Sequence, residues 1–306
     1  VGKGERFGDT GGPRSPFPRR EGGQGVRSFP KLVYVTPSHQ YPTGVTLALA
    51  RRLELLEWAA RARALIVEDD YDSELRYAGR SLPALQGLDE RGCVAYVGSC
   101  STVLFPPLRV GWIVAPPALL APLTAAKWLA DRQTSTVEQQ VLADFIAGGE
   151  FTRHLRRSRA LYAARRSALV AAVRRHLGAM EGVGPPNASV LGGEAAGLQA
   201  PLYLPEHLSE AAVVTAAAAR GVGVYPIGAC YDLPLPADPT GLPSESARRW
   251  AGDAWGGAGR RHRRPGLLLG FAALPEKAID QGVRRLGDAL RDVSQNGEAA
   301  RAVARH

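Results

Sequence analysis

Val94-Ala95-Tyr96-Val97-Gly98-Ser99-Cys100-Ser101-Thr102-Val103-Leu104-Phe105-Pro106-Pro107-Leu108-Arg109-Val110-Gly111-Trp112 is the stretch whose reading decides the fold. Val94 to Val97 is a short apolar run of the kind that forms a buried strand. It empties into Gly98-Ser99-Cys100-Ser101, small residues whose hydroxyls and amides can face an anion. Seven residues after Thr102, Arg109 precedes a second expected strand, Val110 to Val114. Hydroxyl donors with a forked guanidinium suit a phosphate better than a neutral ligand. Taken alone, the stretch is more simply a strand, a turn and a surface arginine.

Two earlier segments have the same build. Ala64-Leu65-Ile66-Val67 is again a continuous apolar run of the buried parallel kind, and at its end stand Glu68-Asp69-Asp70-Tyr71-Asp72-Ser73-Glu74. Carboxylates at the C-terminal end of a parallel strand lie where such sheets bind ligands. As residues alone they are also compatible with a solvated acidic loop or a divalent-metal site. Lys31 to Thr36 reads as a strand ending in Pro37-Ser38-His39-Gln40-Tyr41-Pro42-Thr43-Gly44. Its Pro and Gly make a tight loop before a helix starting near Val45 and running to Arg63. Leu53, Leu56, Trp58 and Ala60 are expected on that helix's apolar side. His39 is either a group that orients a ring or ligand, or a satisfied loop histidine.

These three blocks, in this order, resemble the aminotransferase-like domain of MocR/GabR-type transcriptional regulators, a branch of the fold-type I pyridoxal-phosphate enzymes. The loop 37–44 is similar to the regulators' Pro-Ser-His-Gln-x-Pro-Thr-Gly signature, with Tyr41 where aminotransferases proper usually carry Asn. The 68–74 block resembles their Glu-Asp-Asp-Tyr-Asp-Ser-Glu. Gly98, Ser101, Leu104, Pro106, Leu108, Arg109 and Gly111 match the cofactor-lysine segment in register. The resemblance implies an α/β fold-type I architecture, with a partial, mainly parallel large domain and a small C-terminal α/β domain. It implies pyridoxal 5'-phosphate as cofactor. Asp69 would pair with the pyridine nitrogen, keeping the ring an electron sink. Tyr71 would bond the phenolic oxygen, with His39 and Tyr41 nearby, and Ser99, Ser101 and Arg109 would hold the phosphate. Cys100, where the family usually has an aromatic, reads as packing.

The departures matter as much. Thr102 stands at the Schiff-base lysine position; it cannot form an imine, and its hydroxyl is not basic near neutral pH. No residue is therefore expected to be catalytic, and binding of the cofactor is non-covalent at best. The arginine that clamps a substrate carboxylate near Ala273 in aminotransferases is missing. The family's winged-helix domain, linker and first part of the large domain have no counterpart in the sequence. That part carries a phosphate-binding helix N-terminus and a ring-stacking aromatic, so the chain reads as a truncated, inactive member. Three classes follow: an effector-sensing domain that takes pyridoxal phosphate or a small amine or amino acid; an aminotransferase using an unrecognised lysine; and a ligand-free module that pairs as a homodimer or with an intact paralogue.

The remaining organisation is expected as a disordered basic arm (1–30), the partial large domain (31–148), an interdomain helix (149–178), the small domain (179–295) and a tail (296–306). Helices are expected from Pro116-Pro117 to Trp128 and from Val137 to Ile146. Glu150 to His176 is one long helix with a stripe of Phe151, Leu155, Tyr162, Leu169 and Val173, and a solvated arginine face rather than a nucleic-acid surface. Beyond it, strands at 197–204, 222–226 and 267–272 alternate with helices at 206–219 and 275–293. The segment 231–265, with Arg260-Arg261-His262-Arg263-Arg264, is unpatterned. At 306 residues and 45% hydrophobic content there is ample core. No apolar run reaches membrane-spanning length. Net charge is +9, almost all the basic residues being arginine, which permits anionic partners without demanding them. Cys93, Cys100 and Cys230 are too few and scattered for a disulfide frame or zinc site, and suggest reduced thiols in a cytoplasmic protein.

Overall fold

The computed structural model describes residues 30–79, 82–180, 182–184, 191–230 and 264–303. The expected basic arm, nearly all of the 231–265 insert and the end of the tail lie outside the described residues. Four strands form the first sheet: β1 (Leu32–Val35), β2 (Leu65–Asp70), β3 (Val94–Ser99) and β4 (Gly111–Val114), in that spatial order. β1 and β2 pair in parallel, as do β2 and β3, whereas β4 returns antiparallel on β3. Both parallel crossovers carry a helix, α1 (Leu49–Ala62) and the short α2 (Leu85–Leu88). Leu56, Ala59, Ala62, Ala64, Ile66, Leu85 and Val94 make the core on this side. Within β3, Gly98 pairs with Trp112: a Cβ there would stand 2.3 Å from the Trp112 ring, so only glycine lets β4's indole lie across β3.

Two expectations are corrected here. β2 runs three residues further than its apolar run, because Glu68 to Asp70 keep pairing with Tyr96, Val97 and Gly98. Helix α1 begins at Leu49, not near Val45: the Leu47 amide donates to Pro37 O at 2.9 Å and Thr46 Oγ1 to Ser38 O at 3.0 Å, which holds this stretch on the preceding loop. Its inner face is accordingly Arg52, Leu56, Ala59 and Ala62, while Leu53 is exposed and Trp58 and Ala60 are half-buried.

Helices α3 (Pro117–Asp131) and α4 (Thr136–Ala147) lead to the 28-residue α5 (Glu150–Leu177). The second sheet is antiparallel, in order β5 (Gln199–Tyr203), β7 (Gly266–Gly270), β6 (Tyr225–Pro226). α6 (Glu210–Ala218) and α7 (Glu276–Val303) flank it. The larger core lies here: Leu169, Val173 and Leu177 of α5 meet Leu202, Leu267 and Phe271 of the sheet and Val283, Leu286 and Leu290 of α7. Full burial of side chains this size contributes about 1.5–3 kcal/mol each. Only the C-terminal half of α5 has the expected stripe fully buried; Phe151, Leu155 and Tyr162 are half-buried. Its arginines are not simply solvated either. Arg159 donates to Glu74 O, Arg165 to Ala272 O, Arg166 to Glu194 O at 3.4 Å, and Arg175 to Asp280 at 2.6 Å. α5 is thus tied along its length to the segments that follow β2 and β7, to the loop before β5 and to α7.

Candidate functional site

Alternation along β2 sorts the acidic block. Glu68 and Asp70 point to one face and Asp69 to the other. Glu68 is fully buried and accepts from the amides of Leu85 and Gln86 at 2.8 and 2.9 Å, capping the start of α2. Burial pushes its carboxyl up, against the pull of those two amides. Asp70 accepts from Tyr96 Oη at 2.9 Å and Ser73 Oγ at 2.8 Å. Asp72, just past the strand, meets His39 Nδ1 at 2.7 Å. These carboxylates are framework; among the described residues no group of three or more His, Cys, Asp or Glu side chains is placed to hold a metal ion.

Asp69 faces a cavity of about 790 Å³ at the C-terminal ends of β1 and β2, bounded also by Tyr34, Thr36, Gln40, Tyr41, Thr46 and Tyr71. That is the end of a parallel sheet where ligands bind. Tyr34 is the residue that sequence reading missed. It stands on β1, whose register sets Tyr34 beside Val67, and its hydroxyl donates to Asp69 Oδ2. That carboxylate, first by the hydrogen bond and then by burial, pushes the Tyr34 phenol up to about 12. The alternation of Leu32, Tyr34 and Thr36 against Val33 and Val35 was the available signal. Tyr41 lies at the mouth, where burial first, and then Cys230 and Tyr225 of the C-terminal part, raise its phenol. Tyr71 is half-buried, and burial followed by Asp72 and Asp69 drives its phenol far above the ordinary range.

Of the expected site residues, Asp69, Tyr71 and Tyr41 converge on this cavity. His39 does not line it: its ring is buried behind Tyr71, bonded to Asp72. Ser99 ends β3, the strand next to β2, and its Oγ accepts from the Ser101 amide at 3.1 Å. Ser101 and Thr102 follow in the turn, half-buried, with Cys100 and Val103 buried beside them. Arg109 is exposed and adopts a left-handed backbone, φ 53° and ψ 31°. These hydroxyls and the guanidinium therefore stand at the same end of the sheet, one strand over, outside the wall of the cavity itself. A smaller cavity of about 270 Å³ lies at the opposite end of β2 and β3, beside Arg63, Arg91 and Cys93.

The parallel sheet, the crossovers and the acidic strand end define a known class. The structure superposes on the Pyrococcus horikoshii kynurenine aminotransferase, solved with PMP, at a TM-score of 0.70 and 28% identity, over 86% of this chain and 56% of that one. The fold is that of the fold-type I pyridoxal-phosphate-dependent transferases. No protein-family model matches the chain. Among curated proteins, the HTH-type transcriptional regulator YhdI of Bacillus subtilis is 41% identical over 205 residues, which is 67% of this chain. The probable rhizopine catabolism regulatory protein MocR of Rhizobium meliloti is 34% identical over 272 residues, 89% of this chain. The chain belongs with the aminotransferase-like domains of these MocR-type regulators. It spans about half the length of the curated relatives it matches, 42% of YhdI and 48% of MocR.

Proposed function

We propose that this chain is the effector-binding part of a MocR/GabR-type regulator and that it takes pyridoxal phosphate, or a small amine or amino acid with it, without catalysing transamination. The observation that carries this reading is the convergence of Asp69, Tyr71 and Tyr41 on one cavity, while Thr102 stands at the lysine position. The donor set fits the ring half of the cofactor. Asp69 would face the ring nitrogen, and the Tyr71 oxygen, whose own proton goes to His39 O, would accept from the ring hydroxyl. Ser99, Ser101 and Arg109 present hydroxyls and a fork suited to a phosphate at the adjacent strand end. When bound, pyridoxal phosphate supplies an electrophilic carbonyl and an electron-withdrawing ring. The chain's own residues bind and orient it, but Thr102 offers neither a nucleophilic amine nor a base to move a proton.

The test is titration of the purified chain with pyridoxal phosphate, followed by absorbance and tyrosine fluorescence, beside Asp69→Asn and Arg109→Ala. Saturable binding that both substitutions weaken, with no amino-donor turnover, is the expected result. Steady turnover would refute the inactive assignment. A second reading, a ligand-free interaction module, is favoured by the apolar residues on α3 and α4, where Leu129 is 84% exposed and Trp128 and Val137 are also open. Absence of any binding in the titration selects that reading. A homodimer, or pairing with an intact paralogue, would then be the arrangement to look for by sedimentation.

A further inference from the structure

Behind the cavity lies a small buried assembly that the proposed binding reading does not use. His39 is 4% and Asp72 2% exposed, and they meet at 2.7 Å. An ionised Asp72 is acceptor-only, so the His39 Nδ1 proton is assigned to that bond. Tyr71 Oη is 3.3 Å from the same nitrogen and 2.9 Å from the His39 carbonyl. With Nδ1–H committed to Asp72, the phenol's proton goes to His39 O. The pair therefore determines both where the Tyr71 hydroxyl sits and which way its proton points. Asp72 has a feature at odds with plain packing: its Oδ1 is buried with no partner among the described residues. Burial raises its carboxyl and His39 pulls it back. Buried polar groups with only structural duty are normally satisfied on both oxygens.

The fourth member comes from the loop that leads into β5. Gly197 has φ +69°, and a Cβ there would lie 2.4 Å from His39 Cε1 and 2.8 Å from Asp72 Oδ2. Its backbone is pinned in place: Gly197 N donates to Leu75 O at 3.0 Å, Tyr77 Oη donates to Gly197 O, and Tyr77 N donates to Ala195 O at 2.8 Å. The imidazole and carboxylate are thus clasped between Tyr71 and a glycine wall that no side chain can enter.

We infer that His39 and Asp72 are positioning residues, a buried pair that fixes how Tyr71 presents its hydroxyl to a ligand, with Gly197 as the wall that keeps the pair in register. The inference rests on the proposed reading of Tyr71 as a ligand contact. It predicts that Asp72→Asn and Gly197→Ala act through Tyr71 and not beside it. One neutral hydrogen bond is worth about 0.5–1.5 kcal/mol net, so each variant should weaken pyridoxal-phosphate binding by about two- to tenfold.

The experiment has two arms on the full chain. The first uses the ligand-free protein labelled with 13Cζ-tyrosine, the Tyr71 resonance being assigned by its loss in Tyr71→Phe. Asp72→Asn, or His39→Gln if that variant does not fold, should move this resonance and leave the other tyrosines in place. The second is a double-mutant cycle on pyridoxal-phosphate affinity: in a Tyr71→Phe background, Asp72→Asn should cost nothing further. An unmoved Tyr71 resonance overturns the inference. So does a substitution that weakens binding equally with and without the Tyr71 hydroxyl. If the wild-type chain binds no pyridoxal phosphate, the proposed function fails, and the positioning role is decided by the resonance alone.

Discussion

Arg52 is the residue on which removal of one side chain should show most. It is fully buried on α1. Its Nε donates to Leu47 O at 2.9 Å, Nη1 to Pro83 O at 2.7 Å and Nη2 to Pro37 O at 2.8 Å. One planar fork thereby ties together three loops, and Pro37 and Leu47 are both part of the cavity wall. Burial lowers the guanidinium's affinity for its proton, and Glu68 and Asp70 nearby compensate. Arg52→Met keeps the stem and removes the fork. Leu47 O and Pro83 O then lose their charged donor while Pro37 O keeps the Leu47 amide, and a buried carbonyl left unpaired costs about 1–3 kcal/mol. Against this stands the relief of no longer burying a cation, several kcal/mol. Because the buried Glu68 also loses a neighbouring opposite charge, the net expectation is a loss of about 1–3 kcal/mol. Arg52→Lys should recover little, because an ammonium cannot reach three diverging carbonyls as a flat fork does. Urea unfolding measures the loss, and amide exchange at Leu47, whose N–H donates to Pro37 O, localises it. Arg52→Met within about 1 kcal/mol of wild type, with the Leu47 amide still protected, would refute the reasoning.

Further outcomes follow from the same geometry. Thr102→Lys should form a borohydride-fixable covalent link with pyridoxal phosphate, seen as a mass increment in the intact protein, which the unsubstituted chain does not show. Tyr34→Phe removes the hydroxyl that occupies Asp69 and should tighten pyridoxal-phosphate binding by about two- to tenfold; weaker binding would mean that the Tyr34 hydroxyl itself contacts the ligand. The Tyr34 phenol, raised to about 12, contributes stability that is present below its unfolded value near 10 and fades as pH climbs towards 12, a dependence absent from Tyr34→Phe. Burial, and the Asp89 carboxylate that accepts from its Sγ at 3.4 Å, lift the Cys93 thiol to about 11. At pH 8 only about one molecule in a thousand then carries the thiolate, so iodoacetamide should label Cys93 roughly two hundred times more slowly than an unstructured cysteine.

Much of this was legible in the residues, and the gaps have physical causes. Continuous apolar runs announced β2 and β3 because both faces of a parallel strand are covered, and Gly98 with Arg109 marked the return into β4. The acidic block was harder. Three carboxylates in a row look like a loop, since charge depletes strands, yet pairing with β3 carries the strand through Asp70 and lets alternation send Asp69 one way and Glu68 and Asp70 the other. Hydrophobic spacing misplaced the face of α1 because its inner surface is occupied by an arginine, whose value comes from three carbonyls distant in sequence. The same blindness hid Tyr34, which has meaning only once β1 lies against β2, and made the α5 arginines look merely wet. Local patterns report burial well, but polar side chains report partners that only the fold brings near.

On the proposed reading, position 102 separates two properties, recognition of the ring and covalent chemistry on it. The groups proposed to recognise the ring are distributed over β1, β2 and their loops, where they are also bonded into the frame. Arg52 braces the cavity wall, His39 and Asp72 back Tyr71, and Tyr34 sits on Asp69. Arg52, His39 and Asp72 thereby serve the fold as well as the proposed site, whereas the Tyr34 hydroxyl competes with a ligand for Asp69. Thr102 stands in a turn after β3, half-buried and apart from those groups. A lysine there would add a covalent anchor and a base while supporting none of the frame. On the proposed reading, threonine at this position removes the covalent chemistry and leaves the stability of the sheet and the shape of the cavity unaffected. The expected signature is therefore a chain in which Thr102→Lys changes covalent capture of pyridoxal phosphate but leaves the unfolding midpoint where it was. A large shift in that midpoint would show that Thr102 is part of the framework and that this separation does not hold.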